Sequence, residues 1–362
     1  MMSKSFLIVG EGIWPWYMGA TADALRRLGY SVEEFSWASV FKEWTEGDVE
    51  PQHKSLSHRV QERLGAGPLV GKINRSLLKT AGMTCPEFVL FYNVRLITPR
   101  TMRRLRLLLP NSVFGQFAND NPFSERASFG YWRNFLRSIP YFDLHFAYRL
   151  ENLEDYKAHG CKNVHLLRSY FIPEVDRPIP SDELSQADVS DVVFAGHFEA
   201  DGRLEALTAL VQSGISLRLF GGGWEPVLKG LPESHPLRSQ LPARPVVGHD
   251  YRRTLAGAKI ALCFLSTMNK DTYTRRNFEI PAIGTAVLSQ YSDDLASLFR
   301  ENEEIAFFSD TATLIKRAQE LLHDVPLRKR IADGGSARVR TDGHDVDARM
   351  RGLAQAFESA GR

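Results

Sequence analysis

Two α/β domains, each a parallel sheet layered with helices in the Rossmann manner, are predicted for this chain by three observations. Its 362 residues exceed one ordinary core and suit two domains of roughly 150 to 200 residues. Short apolar runs alternate with amphipathic stretches along the whole length, the rhythm of βα units. That rhythm is interrupted at 173–190, where Pro173, Pro178 and Pro180 stand in a polar, aperiodic segment, and a second series follows.

The run from Phe6 to Gly10 is broken by Glu11 and followed by Trp14-Pro15-Trp16. It is shorter than a signal-peptide core or the roughly 20 residues of a membrane helix, so it reads as a first buried strand. Further apolar runs place strands near 31–36, 87–92, 112–117, 143–147 and 163–167, with helices near 19–29, 56–65, 99–109, 129–138 and 150–159. The second series has strands near 191–195, 215–220, 258–264, 286–289 and 304–308, and helices near 203–213, 249–257, 276–284, 310–323 and 326–340. Val346, Met350, Leu353, Ala354 and Phe357 recur at helical spacing in a polar tail, which predicts a terminal helix in need of a surface to lie against. The expected division is 1–172, a linker at 173–190, 191–344, and a final helix within 345–362.

Hydrophobic residues at 43% and charged residues at 24% are ordinary for a soluble globular protein and exclude the disordered and fibrous classes. Three scattered cysteines, Cys85, Cys161 and Cys263, lack metal-ligand spacing and fit a reducing cytoplasm. The net charge of +2 is unevenly spread: residues 51–110 hold eleven Lys or Arg against Glu62 and Glu87, a local +9. Such a segment can draw in an anionic partner by long-range attraction, or be no more than solvated helix faces. Peripheral contact with an anionic membrane is the expectation; nucleic acid is not.

In the second domain, a strand ending at Gly196 leads through His197 and Asp201 to a helix opening at Arg203. A glycine there lets a ligand approach the backbone, and a helix start offers free N–H groups to phosphate, although an ordinary βα turn looks the same. His197 can donate to a phosphate or a sugar, or be satisfied within its loop. Gly221-Gly222-Gly223 before Trp224 leaves space for a flat ring beside an exposed indole, or makes a flexible turn with the indole as a plug. In 270–288, Arg275 and Arg276 are placed to grip a diphosphate, and Glu279, a turn further on, to accept from two ribose hydroxyls. The alternative is that Arg276 and Glu279 pair across a helix face at i, i+3.

The order Phe194-Ala195-Gly196, Arg203, Leu219 to Trp224, Tyr251, Ala258-Lys259-Ile260 and Arg276-Asn277-Phe278-Glu279 to Gly284 resembles the C-terminal domain of CgeB-type glycosyltransferases of the GT-B group. The resemblance covers about 190–345, and Asn119-Asp120-Asn121-Pro122 extends it loosely to the first half. It implies a GT-B fold: two Rossmann-like domains facing each other across a cleft, with a final helix crossing back to the first. It also implies a nucleotide-diphospho-sugar held mainly by the second domain, with Glu279 on the ribose, Arg276 near the diphosphate and the Gly196 loop facing the same phosphates. Gly196, Arg203, Gly222, Trp224, Arg275 and Glu279 form the expected donor set. Related retaining enzymes carry a second glutamate seven residues before Glu279; here that position is Thr272, beside Asp271, which leaves open whether Asp271 substitutes.

In the first domain, the loop carrying Gly12, Trp14 and Trp16 follows the first strand without completing a Gly-x-Gly-x-x-Gly pattern, which weakens a dinucleotide reading. In a GT-B arrangement it faces the acceptor, where aromatic rings stack on sugars unless they merely plug a surface. Asn119 and Asp120 follow a parallel strand at its ligand-bearing end. Asp120 is the candidate general base or orienting group for an acceptor hydroxyl, although Asn-Asp-Asn-Pro is also a good turn former. The expectation is transfer of a sugar, in the hexosyltransferase manner, to a hydroxyl of a glycan, glycolipid or protein, as in polysaccharide biosynthesis. Asp120, His197 and Arg276 would be the catalytic groups, configuration would be retained, and no cofactor or essential metal is expected. The rival is a non-catalytic nucleotide-sugar or glycan-binding protein of the same fold.

Overall fold

The computed structural model describes residues 4–38, 55–124, 130–186 and 188–361. The chain forms two compact units, one of residues 1–168 with 346–362 and the other of residues 169–345.

The first unit is built on six strands: β1 (Ser5–Gly10), β2 (Ser31–Ser36), β3 (Phe88–Tyr92), β4 (Val113–Ala118), β5 (Leu144–Ala147) and β6 (Val164–Leu166). They pair in parallel in the order β2-β1-β3-β4-β5-β6. Every residue of β3 and β4 is buried, as befits central parallel strands covered on both faces. The helix Pro68–Thr84 was not expected, because Gly71, Asn74, Thr80 and Gly82 dilute its pattern, yet Val70, Ile73, Leu77 and Ala81 bury at helical spacing. The terminal helix Val346–Ala360 buries the five apolar residues that mark it in the sequence. Phe357 lies 5.1 Å from the Phe6 ring and 5.5 Å from that of Phe88. A Cβ at Gly115 would stand 2.3 Å from the Phe357 ring, so the bare backbone of β4 is what admits it.

The second unit holds β7 (Ser190–Ala195), β8 (Leu217–Phe220), β9 (Ala258–Cys263), β10 (Ala286–Gln290) and β11 (Ala306–Phe308), all parallel in the order β11-β10-β9-β7-β8. Val192, Phe194, Leu207, Trp224, Leu262 and Leu288 are among its core. Residues 173–190 are not a separate linker. They belong to this unit, where the Ile172 N–H donates to Asp176 Oδ2 (2.7 Å) and Asp176 is buried. Proline and polar composition hid a well-anchored segment. The two ends of this unit lie close together, Phe171 bridging to Asp345. No described helix is long and apolar enough to cross a membrane.

Candidate functional site

In the second unit the carboxyl end of β7 meets the start of the helix Arg276–Ile283. Ligands of parallel sheets gather at such ends. Arg276 is half-buried, and its Nε donates to the carbonyl of Ala195, the last residue of β7, at 2.7 Å. Beyond that carbonyl the loops after β7 and β8 nearly touch. Gly221, at φ 143°, would place a Cβ 2.0 Å from the Gly196 oxygen, and Gly222 would place one 2.7 Å from His197 Nδ1. These glycines are required by backbone packing and by the His197 ring. His197 is exposed as a residue, yet its ring is crowded. Desolvation first, and the Arg276 charge second, hold its pKa below the ordinary imidazole value, which favours the neutral form.

Glu279 sits deeper, its side chain only 5% exposed. The Tyr251 hydroxyl donates to Oε1 at 2.5 Å. Arg275 Nη1 lies 3.0 Å from Oε2 but is not aligned for a hydrogen bond, so that shielded oxygen keeps its accepting capacity. The ion pair shown on this helix is Arg275 with Glu279, at i, i+4. Arg275 also reaches back to Asp176, Nη2 to Oδ2 at 3.0 Å. Burial pushes the Asp176 carboxyl up to about 6 even though Arg275 opposes the shift, and the Glu279 charge adds to it. The Tyr251 phenol is raised well above its usual value, first by burial and then by the Glu279 carboxylate.

Three members of the expected donor set have partners within the protein that the sequence does not announce. Arg275, expected at the diphosphate, pairs with Asp176 and Glu279. Arg203 is buried. It grips Asp201 through Nε (2.7 Å) and Nη2 (2.6 Å) and the His197 carbonyl through Nη1 (2.6 Å), thereby closing the 196–203 loop on itself. Trp224 is fully enclosed rather than exposed: its indole N–H donates to the Gly196 carbonyl (2.8 Å), and its ring packs edge-on against Phe194 and Phe198. It supports the glycine loop from beneath. At the position of the missing glutamate, the Thr272 hydroxyl donates to Asp294 (2.7 Å).

In the first unit, Gly12 lies at φ 73°, where a Cβ would meet the Ser36 hydroxyl. Trp14 and Trp16 are half-buried and stacked on each other at 4.8 Å. Asn119 accepts a hydrogen bond from the Asn93 side chain. The turn-forming reading of Asn-Asp-Asn-Pro also holds, since Asn121 Oδ1 accepts from the Phe123 N–H (3.0 Å) and from Asn152 (3.0 Å). Asp120, partly exposed beside this turn, has its pKa raised by burial against the pull of Arg149 and Arg95. Arg95 pairs with Glu62 and lies 3.6 Å from Glu11 and 4.5 Å from the Tyr131 ring centre. Asp120 is thus flanked by two buried arginines that the sequence reading gave no site role. A signal existed for Arg149, a charged residue just after the parallel strand β5.

Among the described residues no group of three or more His, Cys, Asp or Glu side chains could hold a metal ion. Of the basic segment, residues 51–54 lie outside the described residues. Helices Leu56–Leu64, Pro68–Thr84 and Pro99–Leu108 of the rest expose Arg59, Arg63, Lys72, Arg75, Lys79, Arg100, Arg103 and Arg104. Leu56, Val60, Leu64 and Leu107 are exposed among them.

Residues 203–355 match a family model described as glycosyl transferase-like. No curated protein matches the chain. Among solved structures, the chain is similar to a sucrose-phosphate synthase from Thermosynechococcus elongatus, with 14% identity, a TM-score of 0.70 and 98% of both chains covered. It is similar to HepE of Anabaena, solved with UDP and glucose, with 12% identity, a TM-score of 0.66, and 98% of this chain and 100% of that one covered. A glycosyltransferase from Rickettsia africae matches at 11% identity and a TM-score of 0.66, with 99% of both chains covered. The fold is GT-B.

Proposed function

We propose that this chain is a glycosyltransferase that moves a sugar from a nucleotide-diphospho-sugar to an acceptor hydroxyl, the second unit binding the donor. The observation that carries the reading is the pairing, on one short helix, of a half-buried guanidinium anchored at the end of β7 with a buried carboxylate whose second oxygen retains accepting capacity. A guanidinium suits a diphosphate and a carboxylate suits a ribose diol. The side chains covering Oε2 must shift for a ribose hydroxyl to reach it. The glycosyl transferase-like match across this stretch and the UDP found in the HepE structure support the same assignment.

On this reading Arg276, with backbone N–H groups of the Gly196 loop, stabilises the departing nucleoside diphosphate as the bond from the sugar's anomeric carbon to the phosphate oxygen breaks. The diphosphate leaves with the electron pair. His197 donates through a ring N–H to a phosphate oxygen or to the sugar. The acceptor oxygen forms the new bond, and Asp120 orients its hydroxyl or takes its proton. Trp14 and Asn119 line the acceptor side, and Gly12 lets the backbone approach. Metal independence, retention, a CgeB-like and hexosyl specificity, a glycan, glycolipid or protein acceptor and a role in polysaccharide biosynthesis belong to the same proposal. So does a cytoplasmic site of action at an anionic membrane, supported by the three free cysteines and the exposed basic helices.

A second reading, non-catalytic binding of a nucleotide-sugar or glycan, is favoured by Thr272 in place of a glutamate. One experiment separates them: melting curves and nucleoside diphosphate release with a panel of UDP-, GDP- and dTDP-sugars. Transfer predicts that a donor both raises the melting point and is consumed with acceptor present. Stabilisation without release over long incubation would select the binding protein, and neither response would refute both.

A further inference from the structure

We propose that Asp176 is a positioning residue for donor recognition: by holding one edge of the Arg275 guanidinium, it keeps Arg275 from occupying the second oxygen of Glu279, which the donor's ribose reaches once the covering side chains shift. The proposal rests on the glycosyltransferase reading above and adds to it a residue from outside the matched stretch.

A guanidinium facing a single carboxylate tends to form two parallel N–H···O bonds and so to occupy both oxygens. Arg275 is prevented from doing this. Its Nη2 is taken by Asp176 at 3.0 Å, leaving only Nη1 toward Glu279, at 3.0 Å and out of line for a hydrogen bond. Asp176 is itself fixed, since its Oδ2 also accepts the Ile172 N–H at 2.7 Å and its side chain is 4% exposed. On the other side, the Tyr251 hydroxyl holds Oε1 of Glu279 at 2.5 Å. The carboxylate is therefore gripped at one oxygen and merely attracted at the other. A buried acceptor left in that state is costly unless something fills it, and a ribose hydroxyl is the group the proposed donor brings. The brace is itself tied down nearby, where the Ser169 N–H donates to the buried Tyr273 hydroxyl at 3.2 Å. Once the Asp176 charge is removed, Arg275 can swing both donors onto Glu279 and compete with the ribose.

The test compares ribo and 2′-deoxy forms of UDP, GDP and ADP by calorimetric titration of the full chain. The ratio of their dissociation constants reads the ribose contact and is insensitive to phosphate contacts. In the wild type the nucleotide that binds should favour its ribo form by about tenfold or more, the size of one charge-assisted hydrogen bond. Asp176→Asn, nearly isosteric, should bring that ratio close to one while the 2′-deoxy form keeps its affinity within about twofold. Asp176→Asn combined with Arg275→Met, which removes the competitor as well, should recover most of the ratio. A purely structural role for Asp176 gives no such rescue. A wild-type ratio in Asp176→Asn, or a folded double variant with no recovery, overturns the proposal and leaves the donor reading standing. Equal affinities already in the wild type, or no binding at all, would reject the Glu279–ribose contact and the proposal with it.

Discussion

Replacing Arg203 by methionine should weaken the second unit sharply and leave nucleotide recognition nearly intact. The Arg203 side chain is 4% exposed and that of Asp201 5%, and the two share bonds of 2.7 and 2.6 Å. Removing the guanidinium strands a buried carboxylate and frees the His197 carbonyl. Breaking one side of a buried pair costs about 3–5 kcal/mol. For a unit of this size each kcal/mol lowers the melting point by about 2–4 °C, so a fall of roughly 6–20 °C is expected. Asp201→Asn alone should also destabilise. The double variant Arg203→Met with Asp201→Asn should lose less than the sum by about 2 kcal/mol or more, because it strands no ion. Trp224 is the only tryptophan in this unit, so fluorine NMR of 5-fluorotryptophan-labelled protein in urea follows its unfolding by itself. Below the transition, the affinity for the nucleoside diphosphate that binds the wild type should change by less than about threefold. Melting of Arg203→Met with the wild type would refute a structural role for the pair, and loss of nucleotide binding at unchanged stability would make the arginine a ligand.

Gly115→Ala forces a methyl group to within 2.3 Å of the Phe357 ring and should cost about 1–3 kcal/mol, seen as faster amide exchange across Val346–Ala360 than in the rest of its unit. Because folding raises the Asp176 pKa to about 6, this group's contribution to stability is greatest at low pH and is lost as pH rises through about 6. Urea titrations between pH 4 and 7 should show that decline in the wild type and a shallower one in Asp176→Asn; a steeper one would reverse the sign argued here. Vesicles rich in anionic lipid should sediment the wild type at low salt, and less so at high salt. Arg59→Glu with Arg63→Glu should weaken that capture severalfold, and equal capture by zwitterionic vesicles would remove charge as the cause.

The fold was legible because parallel strands buried on both faces write themselves as apolar runs, and because Val346, Met350, Leu353, Ala354 and Phe357 mark their helix without help from any partner. Helix Pro68–Thr84 was not, since its glycines, threonines and asparagine blur a period that only packing reveals. At the site, the sequence marks the right turn but not the use of each side chain. Arg275 and Arg276 look alike in a string, yet one faces Asp176, 99 residues away, and the other faces the end of β7. A triple glycine followed by tryptophan suggested an exposed ring, and only coordinates reveal that the same glycines make room for neighbouring backbone while the indole seals the core. Such long-range partners, Asp176 and Tyr251 above all, carry no local periodicity by which to find them.

Arg276 is proposed to meet the diphosphate of a bound sugar donor, and the rate of nucleoside diphosphate release from that donor reports on it directly. Arg276→Ala should retain the wild-type far-UV spectrum and lose about 100- to 1,000-fold in turnover, the loss typical of removing one charge-stabilising donor. A folded Arg276→Ala protein that releases nucleoside diphosphate at the wild-type rate would contradict the account.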